Sequence, residues 1–390
     1  MKDADDRDRA DRSLPEAHRC GCAGRWTWPR PAAAPQLGRR DMLRAAAAAL
    51  AMVASGCGAV VSPAHRETAQ RIAEESPSVD LHSHPGMLGR LSPLGLPAQA
   101  ERMARGRLRA SLFCAVADGP LIGTRAGGAL YATREPRPGE LPTHTYRVLQ
   151  SVRAHVDQGT LALVQAPGDL DAARSRGVPG ALLAIEGGDF LEGRIEGVAE
   201  AYRQGVRSIQ LTHYRVNELG DIQTELPRHR GLTAFGKDVV REMNRLGMIV
   251  DVAHLTLDGV RAAVEVSTRP LLLSHTVLDV PWARAVSREH ARLVADRGGV
   301  IGVFPVNAGY QGFAGYVEHI DRMIAAVGAD HVGVGTDMDG ISPPTFVSWT
   351  DYSEWPSLTA ALLARGYSRE DVAKVSGGNF LRVYREVAAV

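Results

Sequence analysis

Eight short apolar runs, each bounded by Gly, Pro or polar turn residues, alternate with stretches of helical periodicity, and no other feature constrains the chain as much. The runs are Val79 to Leu81, Leu108 to Val116, Ala181 to Ile185, Val206 to Leu211, Met248 to Val252, Leu271 to Leu273, Val300 to Phe304 and His331 to Val334. Runs this short read as buried strands, and the helical spacing between them supplies the crossovers that parallel strands need. The clearest crossover helix is Ala234 to Leu246, with Phe235, Val239, Val240, Met243 and Leu246 on one face. Thr233 is placed to cap its start and Gly247 to end it. Eight strands interleaved with helices predict an α/β fold, a closed (β/α)8 TIM barrel, rather than an open doubly wound sheet. No Gly-x-Gly-x-x-Gly follows any run, so nothing supports a dinucleotide site. The Gly- and Pro-containing segment Asp118 to Pro142 is expected to be a mouth loop.

The N-terminal region does not share this rhythm. Residues 1–38 are rich in Arg, Asp, Ala and Pro without apolar periodicity, and they are expected to be disordered or a mis-assigned extension. Arg39 and Arg40 then precede the apolar run Ala45 to Val53, which ends in Ala54-Ser55-Gly56-Cys57. Residues 39–57 therefore read as a twin-arginine export signal of the lipoprotein type, with Cys57 as the expected lipid anchor. The run is shorter than the roughly 20 residues that span a bilayer. This leaves residues 58–390 as a single (β/α)8 catalytic domain, expected in the periplasm or cell envelope. Cys20 and Cys22 fall in the segment that export discards, and lipid on Cys57 would leave Cys114 without a disulfide partner. Cys114 itself reads as a buried small hydrophobe. The formal net charge of +1, with only Lys2, Lys237 and Lys374 among 45 basic residues, argues against nucleic acid as a partner.

Chemistry-bearing residues concentrate at the ends of the runs. They are Asp80-Leu81-His82-Ser83-His84, Glu186-Gly187-Gly188, Thr212-His213, Asp251-Val252-Ala253-His254, Ser274-His275 and Gly335-Thr336-Asp337-Met338-Asp339-Gly340. Barrel active sites form at this face, and five of the chain's 13 histidines fall here. One buried histidine is more often a satisfied core residue than a ligand. A His-x-His at a strand end, however, sends both imidazoles to one side. Single histidines from two later strands and a carboxylate then complete a nitrogen and oxygen cage suited to zinc. A divalent cation lowers the pKa of water toward about 7 and polarises a carbonyl, which explains the residue types. No lysine lies at a strand end to serve as a carbamylated bridge, so Glu186 is the candidate to link two metals.

These residues also resemble a known family. Ile185-Glu186-Gly187-Gly188, Leu211-Thr212-His213, Gly231 to Gly236, Asn244-Arg245-Leu246-Gly247, Asp251 to His254, Ser274-His275 and Gly335 to Gly340 look like the membrane dipeptidase signature in its usual order. The resemblance runs from about Ser78 to Val387. It implies a binuclear zinc enzyme, with two Zn2+ per chain, that hydrolyses dipeptides by a metal-activated hydroxide and tolerates a D-residue at the C-terminal side. It further implies that His82 binds one zinc, that Glu186 bridges, and that His254 and His275 bind the second. By the same likeness Asp337 handles the proton of the attacking water, and His213 contacts the substrate carbonyl or oxyanion. Arg284 would clamp the substrate carboxylate. A homodimer is compatible with this reading.

Two positions depart from the pattern. His84 stands where the family has Asp, which lowers the negative charge on the first metal site while keeping a good zinc donor. The spacing from His275 to Arg284 is two residues shorter than expected. The His-x-His form also resembles the wider amidohydrolase superfamily, so hydrolysis of lactones or N-acyl amino acids is an alternative activity. A non-catalytic envelope barrel is a third reading, and the carboxylate of Asp337 argues against it.

Overall fold

Each of the eight apolar runs forms a parallel strand. They are β1 (Val79–Ser83), β2 (Ala110–Val116), β3 (Gly180–Glu186), β4 (Val206–Gln210), β5 (Ile249–Asp251), β6 (Leu272–Thr276), β7 (Val300–Val303) and β8 (Val332–Val334). The hydrogen-bonded order is β2-β1-β8-β7-β6-β5-β4-β3, and pairing of β2 with β3 closes the ring. That closing pair stays in register from Ala110 opposite Gly180 to Val116 opposite Glu186. The computed structural model describes residues 60–92, 94–340 and 347–389. The extension 1–38 and the export signal 39–57, with Cys57, lie outside the described residues.

The barrel interior is apolar at the end where the strands begin. Val79, Ala110, Ile249, Leu272 and Val300, each the first residue of its strand, pack with Phe380, Val383, Tyr384 and Val387 of the C-terminal helix Asn379–Ala388. That helix therefore seals the lower end, and burial of its four large side chains gives roughly 1.5–3 kcal/mol each. A larger cluster between the strands and the outer helices includes Val239, Val240 and Met243 of the helix Ala234–Arg245. This helix starts as expected, with the Thr233 hydroxyl accepting from Gly236 N–H, and Gly247 follows it at φ 69°.

The segment from Asp118 to Pro142 is more ordered than its composition suggests. It contains an antiparallel hairpin, Ile122–Thr124 with Leu130–Ala132, and its end already belongs to the helix Glu140–Asp157. A two-residue strand, Ala162–Leu163, adds to the start of β3. It is too short to leave a periodic signal. Strand β6 also runs past its expected end at Leu273, so Ser274 and His275 are held by the sheet rather than by a loop.

Candidate metal centre

The upper ends of β1 and β8 are tied together before any functional side chain is placed. Asp337 N–H donates to His82 O at 2.8 Å and His84 N–H to Met338 O at 2.8 Å. Beneath them the buried Asp80 carboxylate accepts from Thr336 N–H at 2.8 Å, the Thr336 hydroxyl at 2.5 Å and the Tyr352 hydroxyl at 2.8 Å. Burial pushes Asp80 up to about 6 against the pull of these donors. Its position fixes the turn from which Asp337 departs. Asp337 (φ 49°) and His254 (φ 68°) both sit in the left-handed region, a backbone state costly for such residues and found where surroundings hold it in place.

Glu186, at the end of β3, is the hub. Its Oε1 lies 3.3 Å from His82 Nε2, 3.3 Å from His213 Nε2, 3.5 Å from His254 Nε2 and 3.8 Å from His275 Nε2. Its Oε2 lies 3.3 Å from His84 Nε2, and Asp337 Oδ1 approaches the same nitrogen at 3.1 Å. All five imidazoles singled out in the sequence thus converge with both carboxylates. Burial opposes the ionised form of Glu186, but His213 and His82 outweigh it and hold the carboxyl well below its usual range. Burial likewise opposes charge on His84, yet the hydrogen bonds and charges of Asp337 and Glu186 carry it up to about 10. His254 and His275 go the other way, driven down by burial and by neighbouring cationic groups.

Each ring is anchored through Nδ1, so that Nε2 points at the hub. His84 Nδ1 meets Cys114 O at 2.7 Å, His254 Nδ1 meets His213 O at 3.1 Å, and His213 Nδ1 meets Asp118 Oδ1 at 2.7 Å. His82 and His275 Nδ1 both reach Ser274 Oγ, at 3.3 and 3.0 Å, and Cys114 Sγ is 3.4 Å from His82 Nδ1. Such Nδ1 partners fix tautomer and orientation in metal-binding histidines.

The donors fit a cation by a simple proton count. A carbonyl only accepts, so neutral His254 carries its proton on Nδ1 and a lone pair on Nε2. A guanidinium only donates, and Arg284 Nη2 approaches His275 Nε2 at 3.1 Å, so this nitrogen also presents a lone pair. The two Nε2 atoms face each other at 3.1 Å. A shared cation resolves that confrontation, and a second would engage His82 Nε2, which is buried without a hydrogen-bond partner among the described residues. Three overlapping groups have ligand atoms within 4.8 Å of one another: His82 with His84 and Asp337, His82 with Glu186 and His275, and Glu186 with His213 and His254. The third includes His213, to which the sequence resemblance gave only a substrate contact.

Arg284 is not the solvated surface residue that a lone arginine would suggest. It is 4% exposed, and its side-chain partners, Gln223 Oε1 and His275 Nε2, are uncharged. A buried guanidinium so placed beside the cluster is suited to an incoming anion. Phe304, 5.7 Å from the His275 ring and stacked 5.8 Å from Trp282, adds an aromatic wall on this side. The sequence pattern gave no role to Asp118, Gln223 or Ser274, because each acts through a partner far away along the chain. Cys114 is buried as expected, though its sulfur lies at the cluster rather than in a purely apolar setting.

The family described as membrane dipeptidase (peptidase family M19) matches residues 66–390. The chain is 39% identical over 202 residues to dipeptidase tcpJ of Claviceps purpurea, covering 48% of this chain and 46% of that protein. It is 31% identical over 228 residues to dipeptidase 3 of Homo sapiens, covering 54% and 45% respectively. The chain therefore spans about half the length of the curated relatives it matches. Among solved structures, an amidohydrolase from Pseudomonas aeruginosa superposes with a TM-score of 0.69 at 22% identity, covering 83% of this chain and 99% of that one. A metallopeptidase from Rhodobacter sphaeroides, solved with a phosphinate mimic of the dipeptide L-Ala-D-Ala, gives 0.68 at 18% identity, covering 80% and 99%. At these identities the likeness speaks for the barrel alone.

Proposed function

Because this chain belongs to the membrane dipeptidase family, peptidase family M19, we propose that it is a zinc-dependent dipeptidase that holds two metal ions and cleaves dipeptides with a free C-terminus. The observation that carries the substrate assignment is Arg284: a buried guanidinium beside the Glu186 hub, with no anionic partner on its side chain among the described residues. A substrate α-carboxylate would supply the missing charge through a bidentate fork. His82, His84 and Glu186 would hold one ion and Glu186, His254 and His275 the other, a mixed nitrogen and oxygen set that suits zinc. Bound there, the ions would lower the pKa of water and polarise the scissile carbonyl.

The remaining work falls to the chain's own groups. Asp337 Oδ1, beside His84 and 3.9 Å from His82 Nε2, would accept the proton of the attacking water and return it to the leaving amine. His213, whose pKa is raised because Asp118 and Glu186 outweigh its burial, would donate to the oxyanion from Nε2. Tolerance of a D-residue at the C-terminal side belongs to the proposal, in keeping with the L-Ala-D-Ala mimic held by the Rhodobacter relative. A single domain over residues 58–390, export, a lipid anchor at Cys57 and a homodimer are proposed with it. No helix among the described residues is long and apolar enough to cross a membrane.

His84 supports a second reading, hydrolysis of N-acyl amino acids, because it alters the charge of the first site while Arg284 still finds a carboxylate. Lactones, which lack that carboxylate, fit Arg284 less well. Incubating the zinc-loaded full chain with L,L and L,D dipeptides and with N-acyl amino acids separates the readings. Cleavage concentrated on dipeptides is expected. Turnover confined to N-acyl amino acids would replace the dipeptidase assignment, and no turnover of either class would remove it.

A further inference from the structure

Ser274 is wholly buried on β6, immediately before His275, and its hydroxyl stands between two rings of the cluster. Ser274 Oγ lies 3.3 Å from His82 Nδ1 and 3.0 Å from His275 Nδ1. These rings come from strands that are not neighbours in the barrel, and the two belong to the halves of the centre on either side of Glu186. The Asp251 carboxylate, at the end of β5, accepts Ser274 N–H at 3.1 Å and Ala253 N–H at 3.0 Å, which holds the Ser274 backbone in place.

A hydroxyl has one proton to donate and two lone pairs to accept with. Its two lone pairs let Ser274 serve both imidazoles at once if each donates to it from Nδ1. The contact of Arg284 with His275 Nε2 requires the same tautomer of His275 independently. Building on the reading of the cluster as a cation site, we propose that Ser274 is the positioning residue that couples the two halves of the centre, one hydroxyl setting the tautomer of both His82 and His275 so that both Nε2 lone pairs face Glu186 together.

The two rings do not depend on it equally. His82 Nδ1 has a second, weaker acceptor in Cys114 Sγ at 3.4 Å, whereas Ser274 Oγ is the acceptor found for His275 Nδ1. Loss of the hydroxyl should therefore disturb the His275 side more than the His82 side. Cys114→Ala should touch the His82 side alone.

Two measurements on the full chain test this. Nitrogen-15 NMR of the histidine rings after chelator treatment should show neutral His82 and His275 protonated at Nδ1. An Nε2–H tautomer at either ring overturns the proposal, and this readout needs no variant. Titration of Ser274→Ala with Zn2+ against a competing chelator should show binding weakened by roughly 10- to 100-fold, the range for removing a partner of a metal-bound histidine, with the ion on the His275 side affected most. Affinity within about twofold of the unaltered chain at both ions, with the Nδ1–H pattern kept, also overturns it. Neither readout involves peptide hydrolysis. Active protein with the wrong tautomer sinks the role of Ser274 and leaves the dipeptidase reading standing, while the opposite result separates them the other way.

Discussion

Asp118 Oδ1 lies 2.7 Å from His213 Nδ1, while Asp118 Oδ2 accepts Tyr214 N–H at 3.0 Å. One buried carboxylate thereby fixes both the ring and the backbone of the residue proposed to meet a developing oxyanion. Asp118→Asn keeps the shape but removes the charge that favours protonated His213. We expect kcat/KM to fall by roughly 10- to 100-fold. Because the His213 pKa is raised in the folded protein, losing Asp118 lowers it, and the alkaline limb of the pH–rate profile should move to lower pH. An unchanged profile would show that His213 does not act in its protonated form.

Cation affinity should rise with pH. His84 holds its proton up to about 10 in the absence of an ion, and a cation can take Nε2 only after that proton leaves. Binding must therefore release a proton, with Kd falling by up to about tenfold per pH unit between pH 6 and 9. Zn2+ titrations across that range, with proton release followed in weakly buffered solution, check this. A pH-independent Kd would contradict the placement of His84 among the ligands.

Arg284→Lys should act on binding rather than on chemistry. Lysine keeps the charge but loses the fork and the reach to Gln223, so the hydrogen bonds to a substrate carboxylate are lost. A loss of about 3 kcal/mol, on the order of 100-fold in KM with kcat little changed, is expected. Dipeptide amides, which lack the carboxylate, should barely distinguish the variant from the unaltered enzyme. Equal loss on acids and amides would mean that Arg284 has another task.

Asp221 governs the loop that carries Gln223. Its carboxylate accepts N–H from Arg228 at 2.6 Å, His229 at 3.0 Å and Gly231 at 2.9 Å. Burial opposes the charge, but these donors prevail and hold its pKa below the usual value. A depressed carboxyl contributes stability that is complete above the unfolded pKa of about 3.9 and is lost as pH falls toward the folded value. Asp221→Asn should cost about 1–3 kcal/mol at pH 7, and its Tm should converge with that of the parent as pH drops below about 4. A constant Tm difference at every pH would contradict the charge-based account.

The sequence exposes what is periodic or repeated, and hides what depends on distant partners. Alternation of apolar runs with helical spacing suffices for all eight strands, since each run must bury both faces in a covered parallel sheet. The seven cluster residues are legible because their types recur at strand ends, where side chains point into a shared mouth. Asp118 resists such reading: it looks like a turn former beside Gly119, and only the fold brings it to His213. Ser274 looks like one more small strand residue until His82 is placed against it. Burial of Arg284 is equally invisible along the chain, because it follows from the loop after β6 folding back onto Gln223.

Every role proposed for the cluster depends on cations held at the Glu186 hub, and metal content measures this directly. Elemental analysis of the purified full chain, loaded with Zn2+ and freed of unbound ions, should give two equivalents per chain, falling to one or fewer in Glu186→Gln. A folded chain that retains no metal would contradict the account at its base.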